Sequence, residues 1–379
     1  MSINSVYIIA GETSGDLLAA DFIKALKQKY PNVSIHGVAG DQSLSAGLPE
    51  TLFPMAELSI MGVAEIVPKV PHILKRIRQT VEDIKRLQPD IILTIDSPDF
   101  SFRVQKAIKK QNLGIKQVHY VAPTVWAWRA GRARKISQFL DGILCLFPFE
   151  PPYFEKEGLA AAYVGHPVID RYSDAPSCQQ ARKELGYNKD DQVVGVLFGS
   201  RQGELKRHGQ IICDGLKQIV SEKPHTMFLV PTLPHLTKSV ETLLQNNFED
   251  MSHFKIVTNT QKQTTYFRAM SCALAVSGTV GLELAIAGTP HLVAYKANAL
   301  TAAIIRRVIK TEYAHLANII LKRRVVPECL QENCTGSMLA KELLSLDVEQ
   351  QKREFKTLTK KLETNQSPAD TIIEFLEKL

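Results

Sequence analysis

The sequence predicts an α/β protein of two doubly wound domains with a cleft between them. Three observations lead to this prediction. The chain has 379 residues, which is more than one hydrophobic core usually supports. Short β-rich runs alternate with amphipathic segments, a rhythm typical of βαβ units on a parallel sheet. The rhythm pauses at Asp170–Cys178, a polar stretch, and then starts again.

Strands and helices alternate through the first half of the chain. The predicted strands lie near 6–10, 33–39, 90–95, 116–121, 141–146 and 162–165, and the predicted helices near 16–30, 72–88, 101–112 and 129–138. We therefore place a first domain at 1–170.

The second half repeats the pattern over residues 171–349. Its predicted strands lie near 192–198, 226–230, 254–258, 273–276 and 291–295. The segment after Gly203 has the period of a helix packed on a sheet, with one face formed by Leu205, His208, Ile211, Ile212, Gly215, Leu216, Ile219 and Val220. A second doubly wound domain follows from this.

The last stretch, about 350–379, is charged and helical, and its apolar residues need a surface to pack on. It either returns to the first domain or exchanges with a partner chain in a homodimer, and the sequence leaves both open.

Composition narrows the class of protein. No apolar run approaches the roughly 18 residues of a membrane span. The segment Met1–Ser5 leads into a strand without a basic stretch, which argues against a secretory signal, so we expect a cytoplasmic protein. The net charge of +7 suits nucleic acid, an acidic membrane face or a phosphorylated substrate. The six cysteines show no zinc-ligand spacing, so we expect reduced thiols.

A glycine-containing turn, Ala10–Asp16, follows the first strand and opens a helix, where free N–H groups favour an anion. Gly11 and Gly15 permit a close backbone approach, and Glu12 and Ser14 lie between them. The turn either binds an anion or a sugar, or is an ordinary βα turn.

A carboxylate follows the apolar strand Ile91–Ile95, at the end where open α/β sheets bind ligands. Asp99 is suited to capping the helix that we predict to start near Ser101. Asp96 is left for another role, and we interpret it as a general base.

Both tryptophans, Trp126 and Trp128, lie beside a basic run that includes Arg129, Arg132 and Lys135. Aromatic and basic groups together could stack a base, face a lipid or close a domain. The sequence does not choose among these roles.

Two strand ends of the second half are candidates for binding a nucleotide diphosphate. Arg201 follows one strand, and its guanidinium suits phosphate. Ser277, Gly278 and Thr279 follow another and start a helix in which Glu283 could accept hydrogen bonds from ribose hydroxyls. The alternative for Ser277 and Thr279 is helix capping. No Asp-x-Asp lies near, so we expect neither a metal nor a cofactor.

A mixed apolar and basic surface occupies Leu58–Leu74 and the residues just after it. It contains Met61, Ile66, Val67, Ile73 and, next to them, Arg76. The pattern indicates an interfacial membrane contact. The alternative is a loop and helix packed on their own sheet.

Nine motifs in one order resemble the lipid-A-disaccharide synthases, over about residues 6–334. They are Ala10–Asp16, Met61–Glu65, Ile95–Phe100, Val125–Trp128, Pro148–Glu150, Val164–Pro167, Gly199–Arg201, Ser277–Thr279 and Pro327–Glu328. The resemblance implies a GT-B fold and inverting transfer of 2,3-diacylglucosamine from UDP to the 6-hydroxyl of 2,3-diacylglucosamine 1-phosphate (lipid X). It also implies a Gram-negative source and a peripheral enzyme on the cytoplasmic side of the inner membrane.

The resemblance also implies roles for individual residues. The family's catalytic carboxylate falls on Asp96 and its glycine-loop glutamate on Glu12, while its donor-side groups fall on Arg201, Glu283 and Asn318. The chain departs from the family pattern at three positions, with Phe198 and Ala317 in place of prolines and Ser101 in place of an asparagine.

Two other functions remain as alternatives. A nucleotide-sugar 2-epimerase of the same architecture would use the donor without a lipid acceptor. A nucleic-acid-binding protein would use the positive charge, but we expect no useful affinity for DNA or RNA at physiological salt.

Overall fold

The computed structural model describes residues 3–58, 63–128, 131–297 and 311–379, with only the backbone described for 63–69, 127 and 128. The chain divides into two compact units. The first contains Met1–Pro167 and Leu362–Leu379, and the second contains Val168–Lys361.

The first unit is built on a six-stranded parallel sheet. Its strands are β1 Ser5–Ala10, β2 Ser34–Val38, β3 Ile91–Ile95, β4 Lys116–Tyr120, β5 Gly142–Cys145 and β6 Ala160–Tyr163. They lie in the order β2-β1-β3-β4-β5-β6. Successive residues of β1 enter opposite cores, with Val6 and Ile8 on one face and Tyr7 and Ile9 on the other. The sheet is therefore covered on both faces, which explains its uninterrupted apolar strands.

Helices cover both faces of this sheet. They are α1 Thr13–Lys29, α2 Asp41–Ala46, α3 Val63–Leu87, α4 Pro98–Lys109, α5 Val125–Trp128, α6 Gly131–Ile136 and α7 Pro151–Glu155, with a 3-10 turn at Met55–Glu57. Helix α1 contributes to the core on one face and α3 to the core on the other. Residues Ile77, Val81 and Ile84 of α3 are buried at helical spacing, which fixes the face that α3 turns to the sheet.

The second unit contains another six-stranded parallel sheet. Its strands are β7 Val193–Leu197, β8 Met227–Pro231, β9 Phe254–Val257, β10 Cys272–Val276, β11 His291–Tyr295 and β12 Glu328–Leu330, in the order β12-β11-β10-β7-β8-β9. Two parallel sheets with helices around them confirm the predicted α/β fold class. The three-residue strand β12 was not predicted, because so short an edge strand has almost no pattern of its own.

The helices of the second unit complete this architecture. They are α8 Val168–Ser173, α9 Cys178–Leu185, α10 Gln202–Glu222, α11 Thr237–Gln245, α12 Gln263–Ala269, α13 Val280–Ile286, α14 Leu316–Leu321, α15 Gly336–Leu344 and α16 Val348–Leu362, with 3-10 turns at Pro234–Leu236, Met251–His253, Thr260–Lys262 and Gln331–Asn333. Helix α10 buries Leu205, His208, Ile212, Leu216 and Ile219, as its spacing predicts.

The polar stretch that we interpreted as a pause is partly helical. Its first four residues, 170–173, belong to α8, and α9 begins at Cys178 behind a capping box formed by Ser177 and Gln180. Short polar helices of this kind lack the apolar period on which the prediction relied.

The predicted C-terminal stretch divides between the two units: residues 350–361, in α16, belong to the second unit, and Leu362–Leu379 belong to the first. Its last helix, α17 Pro368–Glu377, places Ile372, Ile373 and Leu376 in the core beside α1. Glu377 pairs with Lys29 at 2.7 Å and accepts a hydrogen bond from Tyr30. The hydroxyl of Tyr163 donates to the Leu362 carbonyl at 2.7 Å.

Candidate active site

The strand order of the first sheet reverses between β1 and β3, because β2 lies beyond β1 and β4 beyond β3. Doubly wound sheets bind ligands at the carboxyl ends of the strands beside such a reversal. The last residues of the two strands, Ala10 and Ile95, are paired in register. The turns that carry Glu12 and Asp96 therefore lie side by side.

These two turns are in direct contact through Gly11. A Cβ atom on Gly11 would lie 2.5 Å from the Ser97 Oγ and 2.7 Å from the Ser97 Cβ. A Cβ on Gly15 would lie 3.2 Å from the Ile95 carbonyl oxygen. Only glycine at position 11 lets the two turns approach this closely.

The backbone at Asp96 is strained and held in place. Asp96 and Ser97 have φ values of 55° and 44°, in the left-handed region that residues other than glycine seldom adopt. The Asp96 N–H donates to Tyr120 at 3.0 Å, and its carbonyl accepts from the Ser101 hydroxyl at 3.0 Å. Its carboxylate accepts from the Ser97 N–H through Oδ1 at 2.9 Å. Adjacent strained residues that neighbours fix in place are typical of functional sites.

Helix α4 begins at Pro98 with Ser97 as its N-cap residue, three residues earlier than we predicted. Asp99 therefore lies in the first turn of α4 and is exposed, and it does not cap the helix. The Ser97 Oγ is buried and has no hydrogen-bond partner among the described residues.

The turn after β1 contains residues with different environments. Glu12 is the N-cap residue of α1, but its side chain does not cap the helix, and both Glu12 and Ser14 are exposed. Asp16 is buried and accepts from the N–H groups of Gly40 and Ser43 at 2.8 and 3.2 Å. Asp16 thus fixes the start of α2, a structural role that sequence reasoning missed.

Trp126 connects two of the motifs. Its indole N–H donates to the Glu150 Oε1 at 3.0 Å, and the Phe147 N–H donates to Oε2 at 3.0 Å. Burial raises the pKa of Glu150 to about 7. The Trp126 ring also meets Phe149 edge-on, with centroids 5.2 Å apart. Of the roles left open for this segment, the contacts of Trp126 support the structural one. Neither Trp128 nor Arg129 has a described side chain.

The second sheet has its own reversal of strand order, between β7 and β10. A pocket of about 270 Å³ lies at this edge. The predicted donor-site residues among its lining are Ser277, Gly278, Thr279 and Glu283. The structure therefore brings together, in one concave site, the four predicted donor residues that follow β10.

The turn after β7 is held by Glu204, which sequence reasoning also missed. Gly199 has φ +98°, and a Cβ there would lie 2.4 Å from the Glu204 Oε2. The same oxygen accepts from the N–H groups of Ser200 and Arg201 at 2.9 and 3.3 Å. Arg201 is the N-cap residue of α10, is exposed, and does not line the pocket.

Glu283 lines the pocket and is bound by two neighbours. Its Oε2 accepts from the Arg171 guanidinium and the Gln263 side-chain amide, each at 3.0 Å. Burial raises the pKa of Glu283, and Arg171 opposes this effect. Gly278 has open space where a side chain would be, so its backbone is accessible from the pocket.

Asn318 has a different environment from the other donor-side residues. It is fully buried, its amide N–H₂ donates to Val326 and Glu328, and its Oδ1 accepts from the Val325 and Val326 N–H groups, all at 2.8 Å. Glu328 in turn accepts from the His315 N–H at 2.9 Å. Asn318 thus holds the segment before β12 and does not line the pocket.

The helix that follows Thr279 rests on a buried histidine pair. A Cβ on Gly281 would lie 2.4 Å from the His315 Nε2, which is itself 3.0 Å from the His291 Nε2. His291 Nδ1 faces the Thr289 carbonyl at 2.8 Å, and His315 Nδ1 accepts from the Ala317 N–H at 3.1 Å. These bonds require His315 to donate to His291, so both rings are neutral. Burial lowers the pKa of His291 to about 4.

The surface that we predicted to face a membrane is only partly described. Met61 lies outside the described residues, and the side chains of Ile66 and Val67 are not described. Ile73 packs partly against the core of the first unit. Arg76 pairs with Glu57 at 2.7 Å and lies over the Phe53 ring.

Two apolar side chains on α3 are exposed beside these residues, Val70 at 41% and Leu74 at 40%. Within the described residues, no helix combines the length and the apolar character that a membrane span needs. Over the same residues, no group of three or more His, Cys, Asp or Glu side chains is placed to hold a metal ion.

The chain is similar to known proteins in sequence and in fold. The model of the family described as lipid-A-disaccharide synthetase matches residues 6–373. The lipid-A-disaccharide synthase of Rhodospirillum centenum is 40% identical over 336 residues, 88% of this chain and 83% of that protein. The enzyme of the same name from Rickettsia felis is 36% identical over 382 residues, 98% of this chain and 96% of that protein.

Solved structures are similar in fold at low identity. The UDP-GlcNAc 2-epimerase of Neisseria meningitidis, bound to UDP-GlcNAc, has a TM-score of 0.60 at 15% identity, covering 99% of this chain and all (100%) of that one. A glycosyltransferase from Rickettsia africae has a TM-score of 0.57 at 12% identity, covering 100% and 99%. These structures support the GT-B fold alone. The family match over nearly the whole chain and the identity to the relatives show that the chain belongs to the lipid-A-disaccharide synthase family of glycosyltransferases.

Proposed function

We propose that the chain transfers 2,3-diacylglucosamine from UDP to the 6-hydroxyl of 2,3-diacylglucosamine 1-phosphate, with inversion, giving the β-1,6 disaccharide and UDP. The first unit binds the acceptor and the second binds the UDP-sugar. The observation that carries this proposal is the position of Asp96. Its backbone is strained and held by hydrogen bonds, and it lies at the strand reversal of the first sheet.

Asp96 acts as the general base in this proposal. Inversion is a single in-line displacement, so one base takes the proton of the 6-hydroxyl while UDP leaves from the opposite face of the sugar. Oδ1 of Asp96 is bound to the Ser97 N–H, which leaves Oδ2 for the hydroxyl. Because the backbone on both sides is hydrogen-bonded, the carboxylate is oriented before the substrate binds.

The pocket after β10 binds the UDP part of the donor. The accessible backbone at Gly278 and the neighbouring Ser277 and Thr279 meet the diphosphate, and Glu283 accepts hydrogen bonds from ribose hydroxyls. Arg201 approaches the diphosphate when the donor binds and offsets the charge of the leaving UDP. Asn318 supports the site indirectly, through the segment 325–328 that it holds.

The acceptor side includes the Gly11–Gly15 turn and Met61. The carboxylate of Glu12 is itself negative, so a direct contact between it and a phosphate would be unfavourable, although the helix start where Glu12 lies favours anions. We assign Glu12 to a sugar hydroxyl. The enzyme works as a peripheral protein on the cytoplasmic side of the inner membrane, with α3 and the segment before it towards the lipid.

The experiment measures UDP release by wild type and Asp96→Asn in neutral detergent micelles containing EDTA. UDP-2,3-diacylglucosamine is supplied with and without the 1-phosphate acceptor. Wild type should release UDP only with the acceptor, which also distinguishes it from a 2-epimerase. The turnover of Asp96→Asn should be lower than that of wild type by a factor of about 10²–10⁴, the usual contribution of a general base. The variant should still bind UDP.

The matched control is Asp21→Asn, which removes an exposed carboxylate from the same unit. It should keep wild-type turnover. Full turnover by Asp96→Asn would remove Asp96 from the role of base. UDP release by wild type without the acceptor would contradict the transferase assignment.

A further inference from the structure

A second groove, of about 640 Å³, lies in the first unit between α4 and α6. Arg103 and Lys106 line it from α4, and Arg132 and Lys135 line it from α6. Asp99 is the one carboxylate among its lining residues in the described part of the chain. Positive charge is therefore in excess in a concave surface, where it attracts an anion.

The protein leaves most of this charge without a counter-ion. Arg103, Lys106 and Lys135 form no ion pair with any carboxylate of the described residues. Lys109, one turn farther along α4 and outside the groove, shows the contrast, because it pairs with Asp141 at 3.5 Å. These three cations, Arg103, Lys106 and Lys135, are thus available to a ligand.

Aromatic rings form the floor beneath two of these cations. Phe102 and Phe139 are buried and meet edge-on, with centroids 5.5 Å apart. The Lys106 Nζ lies 5.1 Å from the centre of the Phe139 ring, and the Arg132 guanidinium lies 5.6 Å from that of Phe102. Such contacts hold the side chains over the floor. An apolar floor also excludes water from one side of a bound anion, which strengthens its attraction to the cations.

The groove is lined by the start of α4, which follows the proposed base in the chain. Pro98 lines the groove and lies two residues after Asp96. The acceptor carries the reacting hydroxyl on C6 and its phosphate on C1, at the other end of the sugar ring. When the hydroxyl meets Asp96, the phosphate must lie about one sugar ring away, and the cationic groove is in the same part of the first unit.

We propose that this groove binds the phosphomonoester of the lipid acceptor, with Arg103, Lys106, Arg132 and Lys135 supplying the positive charge. The inference rests on the proposed function for the identity of the acceptor. It adds the site that distinguishes the phosphorylated acceptor from the same sugar without phosphate. The headgroup of an anionic phospholipid has the same chemistry and is the competing occupant.

The first experiment measures acceptor binding directly, without the donor, by calorimetry in neutral detergent micelles. Lys106→Glu and Lys135→Glu should each bind 2,3-diacylglucosamine 1-phosphate at least about tenfold more weakly than wild type, as expected when one charge-assisted contact is lost. The control is Lys110→Glu, the same charge reversal on an exposed lysine next to α4 that does not line the groove. It should bind as wild type does.

The same acceptor without its phosphate tests whether the groove binds the phosphate group. It should bind wild type, the two groove variants and the control with equal and weak affinity. If Lys106→Glu and Lys135→Glu bind the phosphorylated acceptor as tightly as wild type does, the proposal is overturned. Absence of binding to wild type overturns it as well.

A second experiment separates the two sources of phosphate. Sedimentation with phosphatidylcholine vesicles, with and without phosphatidylglycerol, should give the same result for the two groove variants and the control. If the groove variants lose only the binding to phosphatidylglycerol and keep their acceptor affinity, the groove is a headgroup site and the proposal fails. Because affinity is measured without turnover, a wild type that binds the acceptor but releases no UDP would reject the transferase reaction alone.

Discussion

Gly11 and Ser97 belong to different strand ends of the first sheet, and their contact leaves no room for a Cβ atom on Gly11. Ser97 follows the proposed base directly and shares its left-handed backbone. The position of the Asp96 carboxylate therefore depends on a residue 85 positions earlier in the chain, which carries no reactive group of its own.

Gly11→Ala should lower turnover by at least about tenfold, because the new methyl group must displace Ser97 and with it the carboxylate of Asp96. The affinity for UDP should not change, since the pocket that we propose for UDP lies in the other unit. Turnover measured alongside UDP calorimetry checks this. A variant with normal turnover would show that the turn after β3 tolerates the shift.

Gly199→Ala should weaken UDP binding by about tenfold or more. The position has φ +98°, and the added Cβ would meet the Glu204 carboxylate that holds the Ser200 and Arg201 N–H groups. Gly203→Ala is the matched control, because a Cβ there meets no atom within 4 Å. Equal UDP affinity of the two variants in calorimetry would contradict the role of this turn.

Arg201→Ala should also weaken UDP binding, because a charged contact to the diphosphate is lost. Uridine has no phosphate, so its affinity should be the same for the variant and wild type. Calorimetry with both ligands checks the prediction. An equal loss for UDP and uridine would indicate a distorted pocket instead of a missing phosphate contact.

Glu283→Gln should reduce the preference for UDP over 2′-deoxy-UDP, since an amide accepts hydrogen bonds less strongly than a carboxylate. Arg171→Gln is the control, because it removes the ion pair and keeps the carboxylate. The pair is partly exposed, so its loss should change stability little. An unchanged preference in Glu283→Gln would place the ribose elsewhere.

Replacement of Val70 and Leu74 with Ser should release the protein from vesicles that contain anionic lipid. These are the described apolar side chains of α3 that are most exposed. Leu17→Ser is the control, because Leu17 is 46% exposed on α1, which packs on the opposite face of the sheet. If sedimentation with vesicles is the same for all variants, α3 does not face the membrane. The triple replacement of Ile66, Val67 and Ile73 with Ser extends the test to the segment before Val70.

The first unit should lose stability as the pH rises, relative to a Glu150→Gln variant. Burial raises the pKa of Glu150 from 4.5 to about 7, so the folded state favours the protonated form. This stabilisation is complete below pH 4.5 and is lost as the pH rises through 7. The difference in the free energy of unfolding between variant and wild type should therefore shift by roughly 3 kcal/mol in favour of the variant as the pH rises. Urea unfolding at pH 5 and pH 8 measures it. Tryptophan fluorescence reports this unit, since both tryptophans belong to it.

Local sequence patterns predicted much of the fold because buried parallel strands are continuous apolar runs between turn residues. All eleven predicted strands overlap observed ones, from β1 to β11. Helix α3 was predicted from 72, but it starts at Val63 and contains Pro68 and Pro71, which usually indicate a later start.

The partners within the candidate sites depend on tertiary contacts that no local pattern records. Glu150 is 24 residues from Trp126, and Arg171 is 112 residues from Glu283. The hydrogen bonds from Glu204 to its turn could have been predicted more easily, because a Glu three residues after an N-cap residue is a known capping signal. Asn318 shows the opposite case, since only the structure reveals that all its hydrogen bonds are internal.

The return of α17 to the core of the first unit affects the order in which the chain can fold during synthesis. The second unit is one continuous segment, Val168–Lys361, whereas the first is made of the two segments on either side of it. Helix α17 leaves the ribosome after every residue of the second unit. Until then, the apolar surface beside α1 that Ile372, Ile373 and Leu376 cover stays exposed to solvent. The domain that is translated first is therefore completed last, and its nascent form is the one that needs protection from aggregation.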